Sequence, residues 1–219
     1  MSIIRFLEYT ALSPTLTYQQ VNEVISQTKE YPFIGLCLPP FWVKKAAREL
    51  KDGNTQVVTV VGFPFGYQMS HTKEAEIRQA LKDGADELDI VMNISAFKSG
   101  MPWAKIEIAK YAGIIHAEEA MMKVIIETAY LTDEEIVTAC QLCADAGADF
   151  VKTSTGWADA GGAKSEHIKL MRKSLPSSVG VKASGGIKTY EQAKAMLDAG
   201  ADRIGTSSAI EIINSKRAS

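Results

Sequence analysis

Three stretches of the chain restate one joint: "DGADELDIVMN" from Asp83, "AGADFVKTS" from Ala146 and "AGADRIGTS" from Ala199. In each, a helical periodicity stops at a glycine (Gly84, Gly147, Gly200) suited to the left-handed position after a helix. Ala-Asp then leads into an apolar strand. The reverse passage is marked as well. Thr132 with Glu135, and Thr189 with Gln192, have the spacing of capping boxes and predict helices starting just after the threonines. A chain that alternates strand and helix in this way builds a parallel sheet covered by helices.

Strands are predicted near residues 6–10, 33–38, 56–62, 87–92, 122–127, 149–153, 179–183 and 202–206, each followed by a helical pattern, the last one short. Runs such as "VVTVVGF" and "MKVIIET" are almost continuously apolar and β-branched, as in strands buried on both faces. Eight βα units in 219 residues suit a lean (β/α)8 TIM barrel. A doubly wound open sheet is the alternative, but no G-x-G-x-x-G follows the first strand. Without a linker or low-complexity segment, residues 1–219 are expected to form one catalytic domain.

A formal net charge of −2 offers no general field for nucleic acid. The opening "MSIIRFLEYTALSP" is interrupted by Arg5 and Glu8, so it lacks a secretory apolar core. No later run reaches the ~18 apolar residues of a membrane span. Three cysteines without framework spacing fit a reducing compartment, so a cytoplasmic protein is expected, without membrane or nucleic-acid partners.

"FVKTSTG" from Phe150 and "GVKASGG" from Gly180 align Val, Lys, Ser and the last Gly, so two consecutive strands carry a lysine at one height. By alternation, Lys152 and Ser154 share one face, as do Lys182 and Ser184, and in a barrel that face is the interior. Neighbouring strands about 4.8 Å apart bring the two amines together. Burial and a neighbouring cation both disfavour a charged lysine, so Lys152 is expected to be buried in order to be neutral and nucleophilic. Asp89, between Leu88 and Ile90, has two readings: an ion pair that holds a lysine charged, or a general acid/base that moves protons during carbinolamine formation and loss of water.

The turns "ASGGIK" and "GTSSA" offer open backbone N–H groups at the barrel's carboxyl end. Gly185, Gly186, Gly205, Ser207 and Ser208 are the candidates for a phosphate cradle, with Lys188 as supplementary charge. Cys140 and Cys143 fall with Ile136 on one helical stripe and are read as packing; Cys37, at the end of strand two, is read as packing too, with the alternative that it reaches the mouth of the barrel and meets aldehydes. His71, His116 and His167 are scattered and are expected at the surface, so no metal site is predicted. Trp42 and Trp103, each following a proline near a helix start, are expected to pack on loops.

"GFPFGYQMSHTKEAEI", "ELDIVMNI", "KVIIET", "LTDEEI", "AGADFVKTSTG" and "VGVKASGGI" stand in order along almost the whole chain, which resembles the deoxyribose-phosphate aldolases, class I aldolases on a (β/α)8 barrel. The resemblance implies that Lys152 forms the Schiff base, Lys182 lowers its proton affinity and Asp89 relays protons. It implies further that the glycine and serine turns hold the phosphate of 2-deoxy-D-ribose 5-phosphate, which is cleaved to D-glyceraldehyde 3-phosphate and acetaldehyde without cofactor or metal. By analogy alone, a homodimer is expected. Glu8, Ser13, Ala129 and Trp157 depart from the family's usual residues, and no tyrosine follows Tyr190. These departures leave open another sugar phosphate or keto acid as substrate; a barrel that binds a phosphate ligand without turnover is a reading from another class, against which the two lysines and Asp89 stand.

Overall fold

The structure, a computed structural model, describes residues 2–217. The strands are β1 (Leu7–Thr10), β2 (Gly35–Leu38), β3 (Gln56–Val61), β4 (Glu87–Val91), β5 (Met121–Ile125), β6 (Phe150–Lys152), β7 (Gly180–Ser184) and β8 (Arg203–Thr206). All pair in parallel with their sequence neighbours, and β1 pairs with β8, closing the barrel. Each expected strand is present. The clearest shift is in β5, which ends at Ile125 because Glu127 turns left-handed, with φ 48° and ψ 72°.

Around the barrel lie α1 (Tyr18–Glu30), α2 (Val43–Leu50), α3 (Ser70–Lys82), α4 (Ile94–Lys98), α5 (Trp103–His116), α6 (Asp133–Asp145), α7 (Ser165–Ser174), α8 (Tyr190–Asp198) and α9 (Ala209–Arg217). Two helices, α4 and α5, separate β4 from β5 where one was expected. The capping boxes at Thr132 and Thr189 both form, and Thr17 with Gln20 makes a third at the start of α1.

The repeated Gly-Ala-Asp has a physical account. Gly84, Gly147 and Gly200 hold φ of 94°, 89° and 108°, which ends each helix. The following aspartate then reaches the strand before its own. Asp86 Oδ2 accepts from Val57 N–H at 2.7 Å, Asp149 Oδ2 from Met122 N–H at 2.8 Å and Asp202 Oδ2 from Val181 N–H at 2.8 Å. Each aspartate's own N–H returns to the carbonyl of the same residue. The triplet therefore fixes strand register as well as stopping a helix.

Between barrel and helices runs a continuous apolar layer that includes Leu36, Leu88, Val124, Val151, Val181, Ile204, Ile77 and Ile168. Cys140 and Cys143 are fully buried there with Ile136 on α6, and burial pushes the Cys140 thiol up to about 12. Trp42 packs against Tyr18 and Phe41, whereas Trp103 stands 56% exposed at the start of α5 and does not pack as expected. His71 and His116 are exposed, the latter bonded to Asp149 at 2.9 Å. His167, on α7, is half-buried, its ring 3.9 Å from Asp133, not at the open surface.

Candidate active site

In the register of β6 against β7, Lys152 lies directly beside Lys182. Asp89 comes from β4, two strands round from Lys152, and its Oδ2 accepts from both amines at 2.7 Å. The two nitrogens thus lie within twice that distance of each other. All three side chains are buried, Lys152 at 3% exposure and the others at 0%.

The barrel interior also holds a lysine that the sequence reading passed over. Lys123 was absorbed into the apolar run "MKVIIET", yet it points inward from β5, fully buried. It reaches Asp89 Oδ1 at 3.0 Å, Glu87 Oε2 at 2.5 Å and Glu8 Oε1 at 3.6 Å. Glu8, noted only as a departure, is a full member of the network, pairing with Lys182 and with Arg203 at 3.2 Å. Arg203 bonds Glu87 at 2.6 Å and completes the floor. The signal that could have found Lys123 and Glu87 was alternation: Glu87 and Asp89 share a face of β4, and Lys123 stands opposite Asp89 in register.

These contacts decide the charges. Burial opposes ionisation of Asp89, but Lys123, Lys152 and Lys182 outweigh it and hold the carboxyl well below its ordinary range. Glu8 is likewise penalised by burial and still held low by Lys123 and Lys182. Burial disfavours the ammonium of Lys182, yet Asp89 and Glu8 raise its proton affinity, and the same balance raises Lys123. Of the two readings of Asp89, the ion pair is therefore present, made to both amines together. Beside it, burial pushes the Cys37 thiol up to about 11, which leaves it a protonated packing group.

Above this floor, at the carboxyl ends of the strands, opens a cavity of about 330 Å³. Of the charged network, only Lys152 lines it. The remaining wall includes Thr10, Ser13, Thr155, Trp157, Gly185, Gly186, Lys188, Gly205 and Ser207. Gly185 and Gly186 both adopt positive φ, 89° and 76°, as an open turn requires. Gly205 has a second function: a Cβ there would stand 3.1 Å from Lys182 Cε and 3.2 Å from Ser184 Cβ, so its bareness makes room for the lysine stem. Ser208 lies outside the lining, half-buried, with its N–H donated to Thr206 Oγ1 at 3.0 Å. A larger cleft of about 810 Å³ opens at the opposite end of the barrel around Arg5, Tyr31 and Asn54 and contains none of these groups.

The loops that carry the site are tied strand to strand. Thr153 Oγ1 donates to Ser184 O and accepts from Ser184 N–H, both at 3.1 Å, while Ser184 Oγ donates to Ser154 O at 2.6 Å. Gly162 approaches Gly185 so closely that a Cβ would sit 2.1 Å from its carbonyl oxygen.

A family model described as DeoC/LacD family aldolase matches residues 8–212. The chain belongs to that family. Among curated relatives, the deoxyribose-phosphate aldolase of Thermococcus gammatolerans is 46% identical across 99% of this chain and 97% of the relative. That of Caldanaerobacter subterraneus is also 46% identical, across 97% and 93%. Among solved structures, the aldolase QR15 superposes with a TM-score of 0.93 at 39% identity, covering 100% of this chain and 97% of the other. A tetrameric deoxyribose phosphate aldolase from Aeropyrum pernix superposes with a TM-score of 0.91 at 30% identity, covering 98% and 91%. As a DeoC/LacD aldolase, the chain has its strand ends, the seat of chemistry in such barrels, at the cavity that Lys152 lines.

Proposed function

We propose that the protein is a class I deoxyribose-phosphate aldolase, reversibly cleaving 2-deoxy-D-ribose 5-phosphate to D-glyceraldehyde 3-phosphate and acetaldehyde, with Lys152 as Schiff-base nucleophile. One observation carries the reading. Two buried amines share a single carboxylate oxygen beneath a cavity that only one of them, Lys152, reaches.

Charge balance supports the assignment. In the buried network four cations, Lys123, Lys152, Lys182 and Arg203, meet three carboxylates, Glu8, Glu87 and Asp89. Loss of one proton brings the set to neutrality. Lys123, Lys182 and Arg203 are each held more firmly protonated than an ordinary side chain of their kind, and none of them lines the cavity. Lys152 is the one member of the network that lines the cavity, and it is therefore assigned the attack.

The neutral amine of Lys152 attacks the aldehyde carbon of the open-chain sugar. The carbinolamine then loses water to give an iminium, which withdraws electrons from the adjacent carbon-carbon bond. As the bond between the second and third sugar carbons breaks, the hydroxyl proton on the third carbon passes to Asp89, directly or through water, glyceraldehyde 3-phosphate departs and an enamine remains on Lys152. Protonation of the enamine carbon and hydrolysis release acetaldehyde and restore the amine. Asp89, held as a carboxylate against both amines, moves protons, directly or through water, as the amine adds and the carbinolamine loses water. The glycine turn at 185–186, Ser207 and Lys188 are assigned to the phosphate, with Ser208 supporting the turn from outside the cavity.

Incubation with acetaldehyde followed by borohydride reduction is expected to place an ethyl group on Lys152, located by peptide mass mapping. Lys152→Ala should lose both the label and the cleavage. A label on another lysine, or cleavage that survives in Lys152→Ala, would reject the assignment.

Residues 1–219 act as one catalytic domain, supported by barrel closure between β1 and β8. A reducing, cytoplasmic setting accords with three buried free cysteines. For partners, the reading is the sugar phosphate, acetaldehyde and a second copy of the chain. Among the described residues no helix is long and apolar enough to cross a membrane.

A further inference from the structure

Beyond the end of β5 the backbone does something unusual next to Lys152. Ile126 N–H donates to Lys152 O at 3.0 Å and Thr128 N–H donates to Thr153 O at 2.8 Å. Two steps along one chain therefore face a single step along the other. Glu127 is the extra residue, a bulge whose left-handed φ of 48° is uncommon for a side chain of this kind. Such conformations persist where the surroundings impose them, and they gather at functional sites.

The bulge turns the Glu127 side chain inward, leaving the residue 2% exposed. No ion pair among the described residues includes it. Its Oε2 accepts from both the N–H and the hydroxyl of Thr155, the former at 2.9 Å, while its Oε1 is buried and unpartnered. Thr155 Oγ1 in turn accepts from Trp157 N–H at 3.1 Å. Thr155 and Trp157 line the same cavity as Lys152.

A hydroxyl has one proton and two lone pairs. Here the proton is committed to Glu127 and one lone pair to Trp157, so only a lone pair is left for the cavity. From this we infer that Glu127 is a positioning residue that fixes Thr155 as an acceptor-only group beside the nucleophile, so that the cavity prefers an aldehyde fragment bearing a hydrogen-bond-donating hydroxyl. The inference deepens the aldolase reading and rests on it.

The test measures kcat/KM for addition of acetaldehyde to D-glyceraldehyde 3-phosphate and to its analogue lacking the 2-hydroxyl. The wild-type preference for the hydroxylated aldehyde is expected to fall about tenfold in Thr155→Val and in Glu127→Ala, the scale of one lost hydrogen bond. Combining the two substitutions should cost no more than either alone, as expected of residues acting through one contact. Glu127→Gln, whose amide oxygen can still accept from Thr155, should keep the preference within about twofold. If Glu127→Ala does not fold, Thr155→Val and Glu127→Gln decide the matter. A preference that survives Thr155→Val, or that Glu127→Gln abolishes, overturns the inference. So does a preference that persists in a folded Glu127→Ala. Acetaldehyde trapping on wild-type Lys152 separates the two levels: absence of trapping rejects the aldolase reading, whereas trapping with an unaltered preference rejects only the role of Glu127.

Discussion

Lys182 illustrates how one residue's charge sets the working range of another. With Lys182 present, the buried network sets four cations against three carboxylates. Lys182→Leu removes that excess, so protonated Lys152 becomes part of a balanced set. Activity near neutral pH should fall about tenfold or more, and the acidic limb of the pH–rate profile should move to higher pH. The sign follows from electrostatics: a lost cation always favours the protonated form of its neighbour. A Lys182→Leu enzyme whose profile keeps the wild-type position would remove Lys182 from this role. The lysine pair was legible in the sequence because two strands repeat one pattern, and a repeat makes a buried charge conspicuous. Lys123 was not. It stands alone in an apolar run, and a single strand gives no hint that its counter-charges arrive from β1 and β4.

At the scale of the element, the Gly-Ala-Asp joints were legible as punctuation but not as fasteners. The glycine announces its conformation locally. The aspartate's partner, by contrast, lies 21 to 29 residues earlier, on the preceding strand. No local pattern records such a distance. Asp202→Ala should leave Val181 N–H without its acceptor at the foot of β7, and should destabilise the fold by about 1–3 kcal/mol. Asp202→Asn, which keeps an acceptor oxygen, should recover most of that. Chemical denaturation of the three proteins under one set of conditions checks both statements. Equal stability of Asp202→Ala and wild type would mean that the joint serves only to stop the helix. The early end of β5 has the same origin: "VIIET" reads as an unbroken strand, whereas the hydrogen bonds to β6 require a bulge at Glu127.

For the whole molecule, barrel closure was predictable from eight alternating units, while the outer surface was not. Phe65, Tyr67, Met69, Met101, Trp103, Ile106 and Tyr130 are each 46% to 68% exposed. Tyr67, Met69, Met101 and Trp103 share one shallow cleft, and Phe65 and Tyr130 share with Tyr67 the next. Seven large apolar side chains at about half exposure present on the order of 800 Å², the share that each partner contributes to a standard interface. The expected homodimer therefore has a face to use. Light scattering of the wild type should give twice the chain mass, and Tyr67→Glu with Trp103→Glu should give a monomer. A wild-type protein that stays monomeric at tens of micromolar would refute the dimer.

The charged floor of the barrel has one further consequence. Its members are spread over β1, β4, β5, β6, β7 and β8. A chain folded only as far as α5 would bring Glu8, Glu87 and Asp89 together with none of the network's four cations, an arrangement of like charges that disfavours a compact half. Neutralising the three carboxylates of the first half requires β5 to β8, so completing the charged floor and closing the barrel are coupled.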